Sequence, residues 1–502
     1  MRPSGIIVSV LRALTVAHVV AVGLTIAGVA TDAHAGGYFT GTKGARASGR
    51  YGAFTARADD STAVWINPAG LARIGTTEIA IGNRFSYNAS QYSRVSTQDW
   101  GDASGGVAPT VDFGSVSNQT PWQAADPLLA VASNFGLRDW GFAASVHSPA
   151  GVAREQFPLD GGQRYMMVRR EAIMLNYSLA AAWKYRDRVG VGVAFHWLHV
   201  PKLEYSVVID ANQFAGQANP VSSELDMLAT TRGRDIFTPN LTFGLWFRVL
   251  PALELAASAQ VIPASIRTKS TLSLSPVDPD FEGDVELTRR GVPSDDVSLE
   301  LPMPITARIG ARYIHVPQGR QPDFDVELDI GYESTSMVDG FTLDGEGLVG
   351  EAMGQRLDVG RIVIDKQWRD TVSIALGSDV TAIPDRFVVR GGLGWDSAVA
   401  PRSHANVDFL GGHQVGGSVG FSVLVKGFDI AMSYAYRHQI PVNVAAGEGE
   451  VYQQVPGSQC EAPYTDPDTC HPEYLGQPAP TVNEGRYEGS THAVSLDFRY
   501  RF

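Results

Sequence analysis

The last eleven residues of the chain, HAVSLDFRYRF, sort by position into two kinds: Val494, Leu496, Phe498, Tyr500 and Phe502 alternate with Ser495, Asp497, Arg499 and Arg501. A β-strand sends successive side chains to opposite faces, so this segment as a strand has one apolar, aromatic face and one polar face. The same period of two runs through GFDIAMSYAYRHQ, where Phe428, Ile430, Met432, Tyr434 and Tyr436 alternate with Asp429, Ala431, Ser433, Ala435 and Arg437. It recurs in DFDVELDIGYES, with Phe324, Val326, Leu328, Ile330 and Tyr332 set against Asp325, Glu327, Asp329 and Glu333. Runs of this kind predict fourteen strands, near residues 77–87, 128–135, 139–148, 171–185, 189–207, 236–249, 253–262, 298–314, 323–335, 371–380, 386–396, 413–425, 427–440 and 490–502.

A soluble sandwich would also alternate, so the connections carry the distinction. NFG, KYRDR, RVLPA, HVPQGRQPD, TAIPD and VKG lead almost at once into the next strand, whereas polar stretches around 88–127, 149–170, 208–235, 263–297, 336–370, 397–412 and 441–489 are long. Short turns at one end and long loops at the other mark an outer-membrane barrel, whose closure leaves no unpaired strand edge in lipid. The expected fold is therefore all-β: a fourteen-stranded antiparallel transmembrane barrel over residues 77–502, with its polar faces toward the lumen. Arg308 and Arg312 lie one strand before Asp325, Glu327 and Asp329, so a short turn brings these charges together on the inner wall. Independently hydrated charges in a wet pore are the alternative, each exposed pair then contributing ~0.2–1 kcal/mol.

Residues 36–76 read differently. In ADDSTAVWINPAGLARIG, Asp59 and Asp60 suit a helix N-terminus, and Asn67 can cap a turn that starts with Pro68. Roughly forty residues cannot bury a core of their own, so this segment needs a host, and the barrel lumen is the nearest one. Ahead of it, Arg2 and Arg12, the apolar run 13–30 and the AHA ending at Ala35 form a secretory signal, with cleavage expected after Ala35. After residue 35 no uncharged apolar stretch approaches the ~18 residues of a spanning helix.

The chain holds 40 Lys+Arg against 53 Asp+Glu; removing Arg2, Arg12 and Asp32 with the signal leaves 38 against 52, a charge of −14. No basic patch dominates, which argues against nucleic acid as a partner and leaves solvated acidic loops as the simplest reading. Cys460 and Cys470 share the loop GSQCEAPYTDPDTCHPEYLG and are most simply a local disulfide in an exported protein, since His471 alone cannot complete a metal site. GGSVG around Ser418 matches a nucleophile pattern, but FSVLV continues the strand where a helix would be needed. DPDFEGD, from Asp278 through Gly283, has Arg289 where a calcium loop needs a bidentate Glu. His196 and His199 fall on opposite faces of a strand and cannot chelate one ion. No catalytic site, metal or cofactor is expected.

ADDSTAVWINPAGLARI resembles the N-terminal segment of the long-chain fatty acid outer-membrane transporters of FadL type, which include relatives for aromatic hydrocarbons, and Asn67-Pro68-Ala69 matches the hatch motif of that family. The resemblance continues through PLLAVASNFG, GFAASVHSPAG, LELPMPITARIGARY and DTVSIALGSD to the terminal aromatic strand. It implies a monomeric fourteen-stranded barrel in outer-membrane lipid, plugged by an N-terminal hatch, through which a hydrophobic small molecule (fatty acid or aromatic hydrocarbon) enters by passive diffusion. It also implies an opening beside the third strand, here WGFAASVHSPAG from Trp140 to Gly151, with His147, Pro149 and Gly151 at its outer end. Pro149 cannot donate to a ladder and Gly151 permits a bend, so strand pairing is expected to fail there, unless Pro149 merely begins the next loop. The competing reading is a barrel kept for its long loops, as an adhesin or structural surface protein.

Overall fold

The computed structural model describes residues 43–95, 97–98, 110–124, 126–149, 153–209, 226–278, 285–316, 323–352, 355–409, 411–453 and 481–502. Fourteen long strands form the wall: β1 Glu78–Arg94, β2 Pro127–Ser133, β3 Trp140–His147, β4 Arg169–Tyr185, β5 Val189–Ile209, β6 Met227–Leu250, β7 Leu253–Val261, β8 Thr306–His315, β9 Phe324–Glu333, β10 Thr371–Ile383, β11 Phe387–Asp396, β12 Gln414–Val425, β13 Phe428–Val444 and β14 Gly485–Arg501. Each pairs antiparallel with its neighbours in sequence, and β14 closes on β1 in unbroken register from Glu78↔Arg501 to Arg94↔Gly485. The tight turns take left-handed backbone; between β12 and β13, Lys426 (φ 47°) and Gly427 (φ 87°) give the mirror-image two-residue turn that suits the twist of paired strands.

The wall is inside out relative to a soluble protein. Leu179 (66% exposed), Ile81 (58%), Ile309 (57%) and Leu245 (56%) face outward, while Glu254, Glu327 and Arg499 are buried toward the lumen. An apolar belt around a sheet closed on itself is a lipid-facing surface, because closure leaves no free sheet edge in the hydrocarbon. Among the described residues no helix is long and apolar enough to cross a membrane. Leu179→Arg is expected to destabilise the barrel in a bilayer by about 2–4 kcal/mol, the cost of an arginine on the lipid face near mid-depth. Urea unfolding in lipid vesicles checks this, and a change under ~0.5 kcal/mol would mean that position 179 does not face hydrocarbon.

Several spans differ from those expected. β6 begins at Met227 and not at 236, and β1 runs on to Arg94. The expected strand 298–314 is two strands: Asp296–Leu301 pairs with Ile266–Pro276 above the wall, and β8 starts only at Thr306. Pro302 and Pro304 lie between them and cannot donate to a ladder. The stretch 336–370, read as loop, contains a hairpin of Gly340–Ala352 with Gln355–Asp365. Residues 340–350 of that hairpin keep no strict alternation of buried and exposed positions, so a period of two does not reveal it.

The segment from Lys43 to Ile74 lies inside the barrel as a short helix α1 (Ala45–Ser48), a second helix α2 (Ala63–Ile66) and a 3₁₀ helix at Pro68–Arg73. Its apolar side chains, Phe54, Trp65 and Leu71 among them, pack with inward wall alanines 132, 143, 180, 182 and 194. Small wall residues leave room for it: a Cβ on Gly244 would lie 2.1 Å from Asn67 Oδ1, and one on Gly192 would lie 2.4 Å from the carbonyl carbon of Pro68.

Candidate site: the hatch, the lumen and the third strand

Asn67 sits at the seam between α2 and the 3₁₀ helix. Its Oδ1 accepts the Ala69 N–H (3.2 Å), Pro68 occupies the first helical position, and Nδ2 donates to Thr55 O (2.9 Å) and to Leu245 O of the wall (3.0 Å). One side chain therefore caps the hatch turn and ties it to β6. Asp59 and Asp60 do not occupy the first turn of a helix: Thr62 precedes α2, and Asp60 accepts its N–H at 3.0 Å. Their larger role is ionic, with Arg46 2.8 Å from each and Arg499 3.4 Å from Asp60. Burial works against the charge on Asp60, but Arg499 and Arg46 outweigh it and hold this carboxyl down at about 2.

Arg312 meets Asp325 at 2.9 Å, as the turn geometry predicts, and also Glu254 at 3.0 Å. Arg308 lies across from Gly331, and no ion pair among the described residues involves it. Glu327 and Asp329 serve the hatch: Glu327 accepts the Ala56 N–H (2.6 Å), and Asp329 accepts those of Phe54 and Thr55 (both 2.9 Å). The fully buried Arg50 is the centre of this contact, 2.6 Å from Asp325, 2.9 Å from Asp379 and 3.1 Å from Glu327. Arg57 adds bonds to Asp325 and Asp379, and Arg73 reaches Glu254 at 3.3 Å. Sequence reasoning missed these hatch arginines, yet a signal was present: residues 43–57 contain Lys43, Arg46, Arg50 and Arg57 and no acid.

At the third strand, His147 pairs with Asn176 and the β4 ladder resumes at Ala153↔Ala172, in the short strand Ala153–Gln156. Between those two pairings the sequence has five positions on this side, 148–152, and three on β4, 173–175, so the register before the break does not continue after it. Pro149 is buried directly after the last paired residues. Facing inward at the same level, Ala172 and Met174 belong to an apolar cluster that includes Leu198, Val200, Leu299, Phe341 and Trp368, against which Phe409 packs. Phe341, Trp368 and Phe409 meet edge to face with centroids 5.3–5.9 Å apart. The cluster lies between wall and external loops, beside the place where the ladder fails.

Ser418 sits mid-strand in β12, opposite Gly392 and Ala435, without the strand-to-helix turn of a nucleophile elbow. His196 is buried toward the lumen, while His199 is half-buried against Tyr177. Asp278 ends a described loop segment, and Arg289 pairs within the outer strands. Gly151, Gly283, Cys460, Cys470 and His471 lie outside the described residues.

Among solved structures, a FadL homologue from Pseudomonas aeruginosa superposes with a TM-score of 0.69 over 93% of this chain and 100% of its own, at 15% identity. The chain has the FadL-type fold. The Pseudomonas putida toluene transporter TodX is similar at 10% identity over 94% of this chain and 99% of its own, with a TM-score of 0.60. The Ralstonia pickettii toluene transporter TbuX is similar at 13% identity over 92% and 98%, with a TM-score of 0.57. No protein-family model and no curated protein matches the chain. With this FadL-type barrel, its apolar belt and its closed sheet, the protein belongs in a bacterial outer membrane.

Proposed function

We propose that the protein is a passive channel for hydrophobic molecules, long-chain fatty acids or aromatic hydrocarbons, gated by the 36–76 hatch and emptying sideways through the barrel wall beside β3. The observation that carries this reading is the five-against-three mismatch between His147↔Asn176 and Ala153↔Ala172, next to the apolar cluster at Met174. A hydrophobic molecule gains about 0.8 kcal/mol for each CH₂ moved out of water, so passage down a polar lumen into the periplasm opposes its own driving force, whereas exit into lipid follows it. The hatch supports the same reading, since it stands in the lumen bound to the wall by buried arginines and backbone hydrogen bonds. In this reading residues 1–35 are the removed signal, the channel is a monomer without catalytic function, and Asn67-Pro68-Ala69, Asp59 and Asp60 hold the gate.

Uptake of labelled toluene and of labelled oleate by cells with and without the protein tests the proposal. Expression is expected to raise the initial rate for at least one of them. Equal rates in both strains, with heat-modifiable protein in the outer membrane, would favour a barrel kept for its loops.

A further inference from the structure

At the end of the barrel that carries the long loops, β6 and the outer strand Ile266–Pro276 bring two cations face to face. Arg234 is directly across from Lys269, both are exposed, and neither meets a carboxylate among the described residues. Like charges directly opposite on a sheet repel, so the pair costs stability as it stands. The same face carries more positive charge. Arg232, two residues along from Arg234, is exposed, and Glu204, across from it on β5, lies 3.5 Å from Arg232, 3.7 Å from Lys202 and 3.3 Å from Arg169. Glu171 is 2.9 Å from both Arg169 and Lys202. Five cations therefore share two carboxylates, and both carboxylates are engaged by the three that are not Arg234 or Lys269.

Nearby acids do not cancel this surplus. Asp235 falls on the opposite face by alternation and accepts the Phe237 N–H at 3.1 Å. On the next outer strand, Asp296–Leu301, Glu300 is held by Arg267 at 3.2 Å, and Asp296 lies across from Thr271. With these included, six cations still face four carboxylates. Immediately toward the membrane the surface turns apolar. Ile236, Phe237 and Trp197 are exposed, and Trp197 packs against Phe237 and Tyr177 with centroids 5.9 Å and 5.7 Å away. Exposed aromatic side chains at the rim of an apolar belt mark the level of the lipid headgroups. Arg234 is three residues beyond Phe237, about 10 Å along a strand that rises ~3.3 Å per residue. The surplus of positive charge thus stands at headgroup level in the outer leaflet.

We propose that Arg234 and Lys269, with Arg232 and Lys202 beside them, bind the phosphorylated headgroup of an outer-leaflet lipid, lipopolysaccharide in a bacterial outer membrane, whose acyl chains lie along Phe237 and Trp197. Lys202 is placed for this by the register, since its neighbours Val200 and Leu203 are across from Asp235 and Gly233, on either side of Arg234. The Arg234 guanidinium offers two parallel N–H groups to one edge of a phosphate, and Lys269 adds a point charge to the same group. A phosphate between the two replaces their repulsion with two attractions. A free inorganic anion would use the charges alone, whereas an amphiphile also uses the exposed aromatic shelf next to them. The site lies on the outside of the wall and is independent of the channel reading.

Native mass spectrometry of the full-length mature barrel, offered bis-phosphorylated lipid A or its dephosphorylated form in detergent micelles, tests this. Wild type is expected to retain the phosphorylated lipid about tenfold over the other. Arg234→Gln with Lys269→Gln is expected to cut that preference to within about twofold. The variant should keep its heat modifiability, since neither side chain bonds to another described residue. Arg186→Gln with Arg188→Gln makes the same charge change on the turn between β4 and β5, at the opposite end of the barrel, and is expected to leave the preference at the wild-type level. Equal retention of both lipids by wild type, or an unchanged preference in the Arg234 and Lys269 variant, would overturn the proposal. An equal loss in both variants would do so too, because net charge and not this site would then set the preference. Retention of inorganic phosphate by wild type without retention of lipid A would likewise overturn it, leaving an anion site that takes no lipid.

Discussion

Replacing Arg50 with methionine is expected to unseat the hatch and turn a plugged barrel into a leaking one. Arg50 is fully buried and bonds to carboxylates on two wall strands, Asp325 and Glu327 on β9 and Asp379 on β10. Removing one member of such a buried set strands the others, and the cost is about 3–5 kcal/mol, because the desolvation of the remaining charges is no longer offset. The loss falls on hatch docking, since no wall ladder bond passes through Arg50. In planar bilayers Arg50→Met should therefore show a persistent ion conductance that wild type lacks, while unboiled protein still migrates apart from boiled protein in SDS. Arg50→Lys keeps the charge but not the fork that spans three carboxylates, and should fall between the two. Wild-type conductance in Arg50→Met would mean that the backbone bonds to Glu327 and Asp329 hold the hatch without it.

The wall strands were legible because lipid and lumen impose opposite chemistry on alternate residues, as in 324–333 and 494–502. The outer hairpin was not legible, since residues 340–350 keep no strict alternation of buried and exposed positions, whereas the outer strand 296–301 keeps a period of two and was read as one strand with β8 across Pro302 and Pro304. Asn67 could be read because a cap is local chemistry, a side chain bonding two residues along its own chain. The partners of Arg50 could not, since Asp325 is 275 residues away and only barrel closure brings the two together. The pairing of Arg312 with Asp325 was accessible through a short turn, but Glu327 and Asp329 were assigned to the wall arginines when their bonds go to the hatch, Asp329 to its backbone and Glu327 to its backbone and to Arg50. The excess of arginine in 43–57, set against the acids of β9, was the clue that joins the two halves.

The wall mismatch has the larger functional consequence. Continuing the register past His147↔Asn176 would set residue 148 opposite residue 175, whereas the pairing at Ala153↔Ala172 is offset from that register by two residues. If ligand leaves there, holding the two strands together must stop it without touching the hatch, the loops or the rest of the wall. Ser148→Cys with Leu175→Cys, in a background lacking Cys460 and Cys470, provides that tie through a short reductant-cleavable crosslinker. The most direct measurement is the initial rate of toluene or oleate uptake by cells carrying this pair, before crosslinking, after it, and after reduction. Lateral release predicts at least a tenfold fall on crosslinking, recovery on reduction, and unchanged heat modifiability throughout. Uptake at the wild-type rate through a fully crosslinked, intact barrel would contradict it.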